Sequence, residues 1–342
     1  VEVLENPSLE GSPLVVGGDP DGRGVVSTAS YAARRFGIHS AMPAAEARRR
    51  CPHAIFIRPD MQKYRRHSMA VWEIVQREVP VLEQVGIDEG YLDLYRVVWT
   101  SGGARRFLAR LQETVRIETG LDASFGCAAG KTVAKIASDA EKPRGLVVVP
   151  SGQEAAFLAP RPLRALPGIG PVTGERLARA GLTTIGDLAA LDGATLAAVL
   201  PSSMGEGLRD RARGIDHREV DPSASPPVSI GHERTFENDV ADPDELARVA
   251  EDLARLVAER LRRDGRGAGT VTVKLRYPDF TTQSRAASAD LATDDEGEVI
   301  RLTHLALSRA LADRPPPVRL LGVSVTRLVP GAQLQLPSAP PQ

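Results

Sequence analysis

The sequence predicts a multidomain protein of combined α/β and α+β class. Three observations carry that prediction. The chain has 342 residues, beyond the ~100–200 typical of one domain. Helical and strand patterns alternate over 61–149, as in a mixed α/β domain. After a Pro- and Ser-rich stretch at 221–228 (DPSASPPV), the order becomes β-α-β-β-α-β, the split βαβ pattern.

The elements follow from the N-terminus. Turn signals at Asn6-Pro7 and Gly11-Ser12-Pro13 precede a short buried strand at 14–16. A strand at 24–29 runs into a helical stretch, YAARRFG, at 31–37. A helix is expected over 61–79, then two short strands between 81 and 95 flanking Asp88-Glu89. Helix 103–118, strand 122–128, helix 131–140 and strand 145–149 complete this region. A Pro-rich connector at 158–168 leads into LPGIGPVTGERLARAGLTTIGDLAAL, two short helices joined through glycines, with another helix at 203–214. After the linker come a strand at 228–235 and a helix over 243–263, with Leu246, Val249, Ala250, Leu253, Leu256, Val257 and Leu261 at helical spacing. TVTVKLR at 270–276 alternates strictly, which turns Val271, Val273 and Leu275 to one face and Thr272, Lys274 and Arg276 to the other. A strand at 281–288, a helix at 297–312 and a strand at 318–328 follow. The tail, 329–342, is too Pro-rich to pack and reads as disordered.

Composition narrows the function classes. Apolar residues are 42% and charged residues 25%, an ordinary globular balance that excludes collagen-like and disordered chains. No apolar run approaches the ~18 residues that span a bilayer, and no secretory signal pattern opens the chain. Two cysteines, Cys51 and Cys127, are too few for a disulfide framework or a four-thiolate zinc site. A reducing cytoplasm and no membrane are expected.

Net charge is −1, so nothing global announces nucleic acid. Of 43 Lys and Arg, only residues 63, 131, 135, 142 and 274 are lysine, and three of those five fall between 131 and 142. That cluster fits compact cations for phosphates or carboxylates, or a solvated helix face. Between 260 and 285, seven basic residues (Arg260, Arg262, Arg263, Arg266, Lys274, Arg276, Arg285) stand against Asp264 and Asp279, which points to one basic sheet face.

Three motifs bear on chemistry. In LPGIGP (166–171), Gly168 and Gly170 before a helix bring backbone N–H groups to a phosphate, in the shape of a helix-hairpin-helix; a plain glycine cap between helices is the alternative. Aromatic content of 4% argues against base stacking as the main binding mode. GIDEGYLDL (86–94) sets Asp88 beside Glu89, a pair that suits Mg²⁺ with a nucleotide phosphate, or simple solvation in a turn. STASYAARRFG (27–37) places Thr28, Tyr31 and Arg34 to meet a polyphosphate from one side and Lys142 from another, or to form an ordinary surface helix.

The joint order of these blocks is distinctive. VVSTASYAARRFGIHSAMPAAEARRRCPHAIFIRPD, IDEGYLDL, GKTVAKIASDAEKPRGL, LPGIGPVTGERLARAGLTTIGDL, VTVKLRYPDF and VRLLGVSV together resemble successive segments of a Y-family DNA polymerase of the DinB type, from Val1 to about 328. The resemblance implies a right-hand polymerase with fingers at 1–60, palm at 61–149, helix-hairpin-helix thumb at 150–220, linker at 221–229, little finger at 230–328 and tail at 329–342. It implies a monomer performing low-fidelity, template-directed translesion synthesis and DNA repair, by transfer from dNTP to a primer 3′-hydroxyl with two Mg²⁺. Asp88 and Glu89 would be the metal-binding and catalytic carboxylates. Thr28, Tyr31, Arg34 and Lys142 would grip the triphosphate, and Val25, Ser27 and Ala41 would lie near the nascent base pair. Gly168, Gly170, Lys274 and Arg276 would hold primer-template DNA. Gln333, Leu334 and Leu336 resemble the family's sliding-clamp peptide, with Pro337 in place of its usual aromatic.

Three departures stand out. Gly86 and Gly90 occupy positions where the family has Ser and Ala, which predicts a looser hairpin. Gly130 replaces an Asn. The family's first Asp-x-Asp strand and its ribonucleotide-excluding aromatic precede Val1, so these 342 residues alone are expected to lack one metal carboxylate and not to extend primers. A catalytically inactive Y-family DNA scaffold is the alternative, and a helix-hairpin-helix repair protein of another activity the third reading. Joint presence of Asp88, Glu89, Tyr31, Arg34 and Lys142 favours the polymerase, since a scaffold needs none of them.

Overall fold

The computed structural model describes residues 1–331 apart from 96, 99, 224 and 225. The clamp-peptide residues Gln333, Leu334 and Leu336 therefore lie outside the described residues. The chain opens with α1 (Glu2–Glu5), β1 (Leu14–Gly17), β2 (Val26–Ala29), α2 (Tyr31–Arg34), α3 (Ala44–Arg50) and β3 (Ile55–Ile57). Then come α4 (Met61–Glu78), β4 (Leu82–Gln84), β5 (Gly90–Leu92), α5 (Ser101–Thr119), β6 (Phe125–Cys127), α6 (Lys131–Ala140) and β7 (Leu146–Val148). Five helices follow: α7 (Glu154–Leu158), α8 (Pro171–Arg179), α9 (Ile185–Ala190), α10 (Gly193–Val199) and α11 (Ser202–Ala212). The last elements are β8 (Ile230–Val240), α12 (Pro243–Arg263), β9 (Arg266–Arg276), β10 (Thr282–Thr293), α13 (Glu296–Asp313) and β11 (Val318–Pro330). No helix among the described residues is long and apolar enough to cross a membrane.

Packing divides the chain into Val1–Glu10 with Asp60–Ala224, and Gly11–Pro59 with Ser225–Gln342. In the first unit, α5 buries Phe107, Leu108, Leu111 and Val115, a stripe at helical spacing. That stripe and Ile74 and Val75 of α4 cover two ladders, antiparallel β4–β5 and parallel β6–β7. Thr100 caps α5 by accepting the Gly103 N–H, and Gly120 ends it at φ +70°, a conformation glycine adopts without strain. Residues 1–10, grouped with 11–60 on sequence, instead pack here: Glu2 accepts hydrogen bonds from Lys63 Nζ at 2.6 Å and Tyr64 Oη at 2.5 Å. The remaining helices of this unit enclose Leu158, Leu166, Leu177, Ile185, Leu188 and Leu208. A reciprocal capping box between Thr184 and Asp187 starts α9. The backbone N–H groups of Thr183 and Thr184, together with the Thr184 hydroxyl, hold the Asp187 carboxyl down to about 2.

In the second unit, β1 pairs antiparallel with β2 and parallel with β3, over a core of Val15, Val26, Ala33, Ile38, Met42 and Cys51. The four-stranded antiparallel sheet has the order β10-β9-β11-β8. Val271, Val273 and Leu275 are at most 2% exposed, and they share one core with α13 and with Leu246, Val249, Ala250, Leu253, Val257 and Leu261 of the predicted α12 stripe. Leu256, placed in that stripe on sequence, is instead 43% exposed. Each such fully buried side chain contributes roughly 1.5–3 kcal/mol.

Two expectations need correction. The helix at 31–37 is a single turn, because the chain reverses at Gly37 with φ +72°. The tail does not begin at 329, since β11 continues through Pro330, with Val329 opposite Gly267 and Pro330 opposite Arg266.

Candidate active site

Asp88 and Glu89 sit in the loop that joins β4 to β5. The Glu89 carbonyl accepts N–H bonds from Val85 and Gly86, both at 3.0 Å, which closes the loop. Ser68 of α4 braces it by donating to the Ile87 carbonyl. Both carboxylates are exposed. Glu89 is ion-paired to Lys135 of α6, whereas the Asp88 carboxylate has no hydrogen-bond or ion-pair partner among the described residues. Two adjacent carboxylates repel, and the Lys135 charge offsets part of that repulsion. Burial works against the Lys135 charge, but Glu89 and Asp139 outweigh it and raise the ammonium above its ordinary pKa.

At Gly90 the missing methyl leaves no slack in the hairpin. A Cβ at Gly90 would lie 2.5 Å from the Glu83 carbonyl oxygen and 2.6 Å from the Trp72 ring. The space an alanine would occupy is filled by indole and by the β4 backbone. At Gly86 a Cβ would make only ordinary contacts, the nearest with Asp88 at 3.6 Å.

The three clustered lysines all hold carboxylates. Lys131, 9% exposed, pairs with Glu83 of β4 and lies 5.1 Å from the Tyr91 ring centroid. Lys135 holds Glu89, and Lys142 pairs with Asp139 at 2.5 Å. The last pair is about half exposed on both sides, so it is weak and readily exchanged for a phosphate.

In the second unit, β2 and α2 bring Thr28, Tyr31 and Arg34 onto one exposed surface. Ser30 starts α2 by accepting the Ala33 N–H. Arg34 donates from Nε to the Ala29 carbonyl at 3.0 Å and lies 5.5 Å from the Tyr31 ring centroid. Its two terminal nitrogens have no hydrogen-bond partner among the described residues. Val25, Ser27 and Ala41 are also together and exposed, because Ala41 N–H bonds the Val26 carbonyl at 2.8 Å. Ala41 has φ +68°, a strained conformation of the kind that clusters at functional sites.

The nucleic-acid candidates are placed as follows. Gly168, at φ +98°, turns the chain just before α8, whose N-cap is Gly170. Arg211 reaches beneath this turn, donating to the Pro167 carbonyl at 3.2 Å; no local sequence signal marks it. Lys274 and Arg276 lie on the sheet face that α12 and α13 leave open. Lys274 pairs with Glu233 at 2.8 Å, and Arg276 donates to Thr282 Oγ1 at 3.2 Å. The predicted basic surplus is not one face. Arg260, Arg262 and Arg263 are on α12, and Asp264, Glu296 and Asp313 pair with Arg260, Arg262 and Arg285 respectively.

Asp88 and Glu89 offer hard oxygen donors. Mg²⁺ takes one or two protein carboxylates and fills its remaining positions with water and phosphate oxygens, so this pair fits the ion. No group of three or more His, Cys, Asp or Glu among the described residues could hold a metal by itself.

Comparison with known proteins decides the family. The impB/mucB/samB family matches residues 1–139 and its C-terminal domain 227–338, and a DNA polymerase-iota thumb domain matches 164–216. DNA polymerase IV of Halorhodospira halophila is 44% identical, over 96% of this chain and 92% of its own length. This chain belongs to the DinB-type Y-family of DNA polymerases. The polymerase is also 43% identical to DNA polymerase IV of Methanoculleus marisnigri, over 98% of this chain and 92% of the relative. Its fold matches a Y-family DNA polymerase chimera with TM-score 0.87, and DinB from Sulfolobus solfataricus with TM-score 0.63. Both are 22% identical and are covered, like this chain, over 96%.

Proposed function

We propose that this polymerase copies DNA past damaged templates with low fidelity, transferring nucleotides from dNTP to a primer 3′-hydroxyl at the Asp88–Glu89 hairpin. The observation that carries the assignment is the hairpin itself: two exposed carboxylates on a braced turn, one of them latched to Lys135. Asp88 and Glu89 would hold Mg²⁺, two ions in all, whose chemistry when bound is to stabilise charge on the attacking and leaving oxygens. Arg34, fixed at Nε and with no partner for its terminal nitrogens among the described residues, takes triphosphate oxygens together with Thr28 and Tyr31. Lys142 exchanges Asp139 for another phosphate oxygen. Val25, Ser27 and Ala41 offer only small side chains to the nascent pair, which leaves room for a distorted template base.

Primer-template DNA is held without reading its sequence. The Gly168–Gly170 turn meets the backbone with N–H groups, and Lys274 and Arg276 meet phosphates from a sheet face that also carries Thr272 and Ser324, with Lys274 exchanging Glu233 for the phosphate. The tail peptide at Gln333, Leu334 and Leu336 is proposed to dock on the sliding clamp.

Primer extension opposite an abasic template site tests the function. The full-length polymerase, meaning these residues joined to the family's Asp-bearing strand ahead of Val1, should insert a nucleotide in Mg²⁺, and Asp88→Ala in it should be slower by roughly 10³-fold or more. Equal extension by both proteins would refute the assignment.

A further inference from the structure

The first N–H groups of any helix lack intrahelical partners, and α6 begins at Gly130, which has no side chain to cap them. The cap comes instead from 84 residues further along the chain. Asp216 Oδ2 accepts the Thr132 N–H at 2.9 Å and the Thr132 hydroxyl at 2.7 Å. Arg218 holds this carboxylate from two sides, Nε to Oδ1 at 2.8 Å and Nη2 to Oδ2 at 2.7 Å. The Asp216 side chain is 2% exposed. A Cβ on Gly130 would stand 3.1 Å from the Asp216 Cβ and 3.3 Å from its carbonyl oxygen, so the remote cap packs closely against the bare backbone at 130.

The same segment clasps the hairpin. Asp221 N–H donates to Glu83 Oε2 at 2.8 Å, and that same oxygen pairs with Lys131. Lys131 and Lys135 are four residues apart and share one face of α6. One grips Glu83 on β4, the other Glu89 in the adjoining loop. Any shift of the α6 N-terminus therefore moves both lysines, and with them the loop that carries the two carboxylates.

We infer that Asp216 is a positioning residue for nucleotidyl transfer: it fixes the start of α6 so that Lys135 holds Glu89 in place. The inference rests on Glu89 belonging to the reacting centre, and a double-mutant cycle separates the two claims. Single-turnover insertion and DNA binding are measured for the full-length polymerase, Glu89→Gln, Asp216→Ala and the double variant. Asp216→Ala should slow the maximal rate by about tenfold, the scale expected of a sub-ångström misplacement, with DNA affinity unchanged within about twofold. In the Glu89→Gln background it should add little further loss, because both act through one carboxylate. Asp216→Asn keeps an oxygen for Thr132 and should recover most of the rate. If Asp216→Ala destabilises the fold, Thr132→Val, which loses the hydroxyl bond to Asp216 but keeps its N–H, takes its place in the cycle and should lower the rate severalfold in the wild-type background and not in Glu89→Gln. A wild-type rate in Asp216→Ala, or a full additive loss in the double variant, overturns the inference while leaving the active site intact. A wild-type rate in Glu89→Gln overturns the active-site reading instead.

Discussion

Glutamine in place of Glu89 is expected to lower the single-turnover rate of nucleotide insertion by roughly 10²–10³-fold, with primer-template affinity unchanged or slightly improved. The amide keeps the size of the side chain and an oxygen for Lys135, so the braced loop of Val85–Glu89 stays closed by its backbone bonds. What is lost is the charge. A carboxylate at the reacting oxygens supports metal binding and the developing charge of the transition state, whereas toward DNA phosphates it is only repulsive. Binding and chemistry should therefore separate cleanly, as read by salt-titrated DNA binding beside rapid-quench insertion. Parallel losses in both would mean that Glu89 serves the fold.

Arg34→Ala should act on the nucleotide. The Arg34 guanidinium is pre-aimed: Nε is tied to the Ala29 carbonyl and the plane lies near Tyr31. Little side-chain freedom remains to be lost when phosphate binds. Losing a charge-assisted, bidentate phosphate contact of about 1.5–3 kcal/mol weakens dNTP binding by roughly 10–150-fold. Lysine should restore only part of this, since an ammonium cannot bond Ala29 and present two parallel donors at once. The measurement is the dNTP concentration dependence of single-turnover insertion. An unchanged half-saturation value would remove Arg34 from the triphosphate site.

Much of this was legible in the sequence, for reasons that are local. Strict alternation at 270–276 placed Val273 and Leu275 in the core, where both are 0% exposed. The α12 stripe, apart from the exposed Leu256, and the bounds of α6 also follow from near-neighbour periodicity. What stayed hidden depends on partners distant in the chain. Counting charges over 260–285 could not show that Glu233, Glu296 and Asp313 would be delivered by other strands and helices. Gly90 read as slack because Trp72, which fills its space, is 18 positions earlier and on another element. The lysine cluster did flag Lys135, although its partner Glu89 emerges only when α6 packs beside the hairpin. Asp216 carried no signal at all, since a remote helix cap has no local motif.

The central claim is that the β4–β5 loop is the metal-dependent reaction centre, and Mg²⁺ titration of nucleotide binding tests it most directly. The polymerase is bound to a primer lacking its 3′-hydroxyl, and dNTP affinity is followed as Mg²⁺ is raised, for wild type and Asp88→Asn. Removing a metal-ligand charge should shift the Mg²⁺ midpoint upward by about tenfold or more, with DNA affinity in the absence of nucleotide unaltered. Superimposable Mg²⁺ curves for the two proteins would contradict the account.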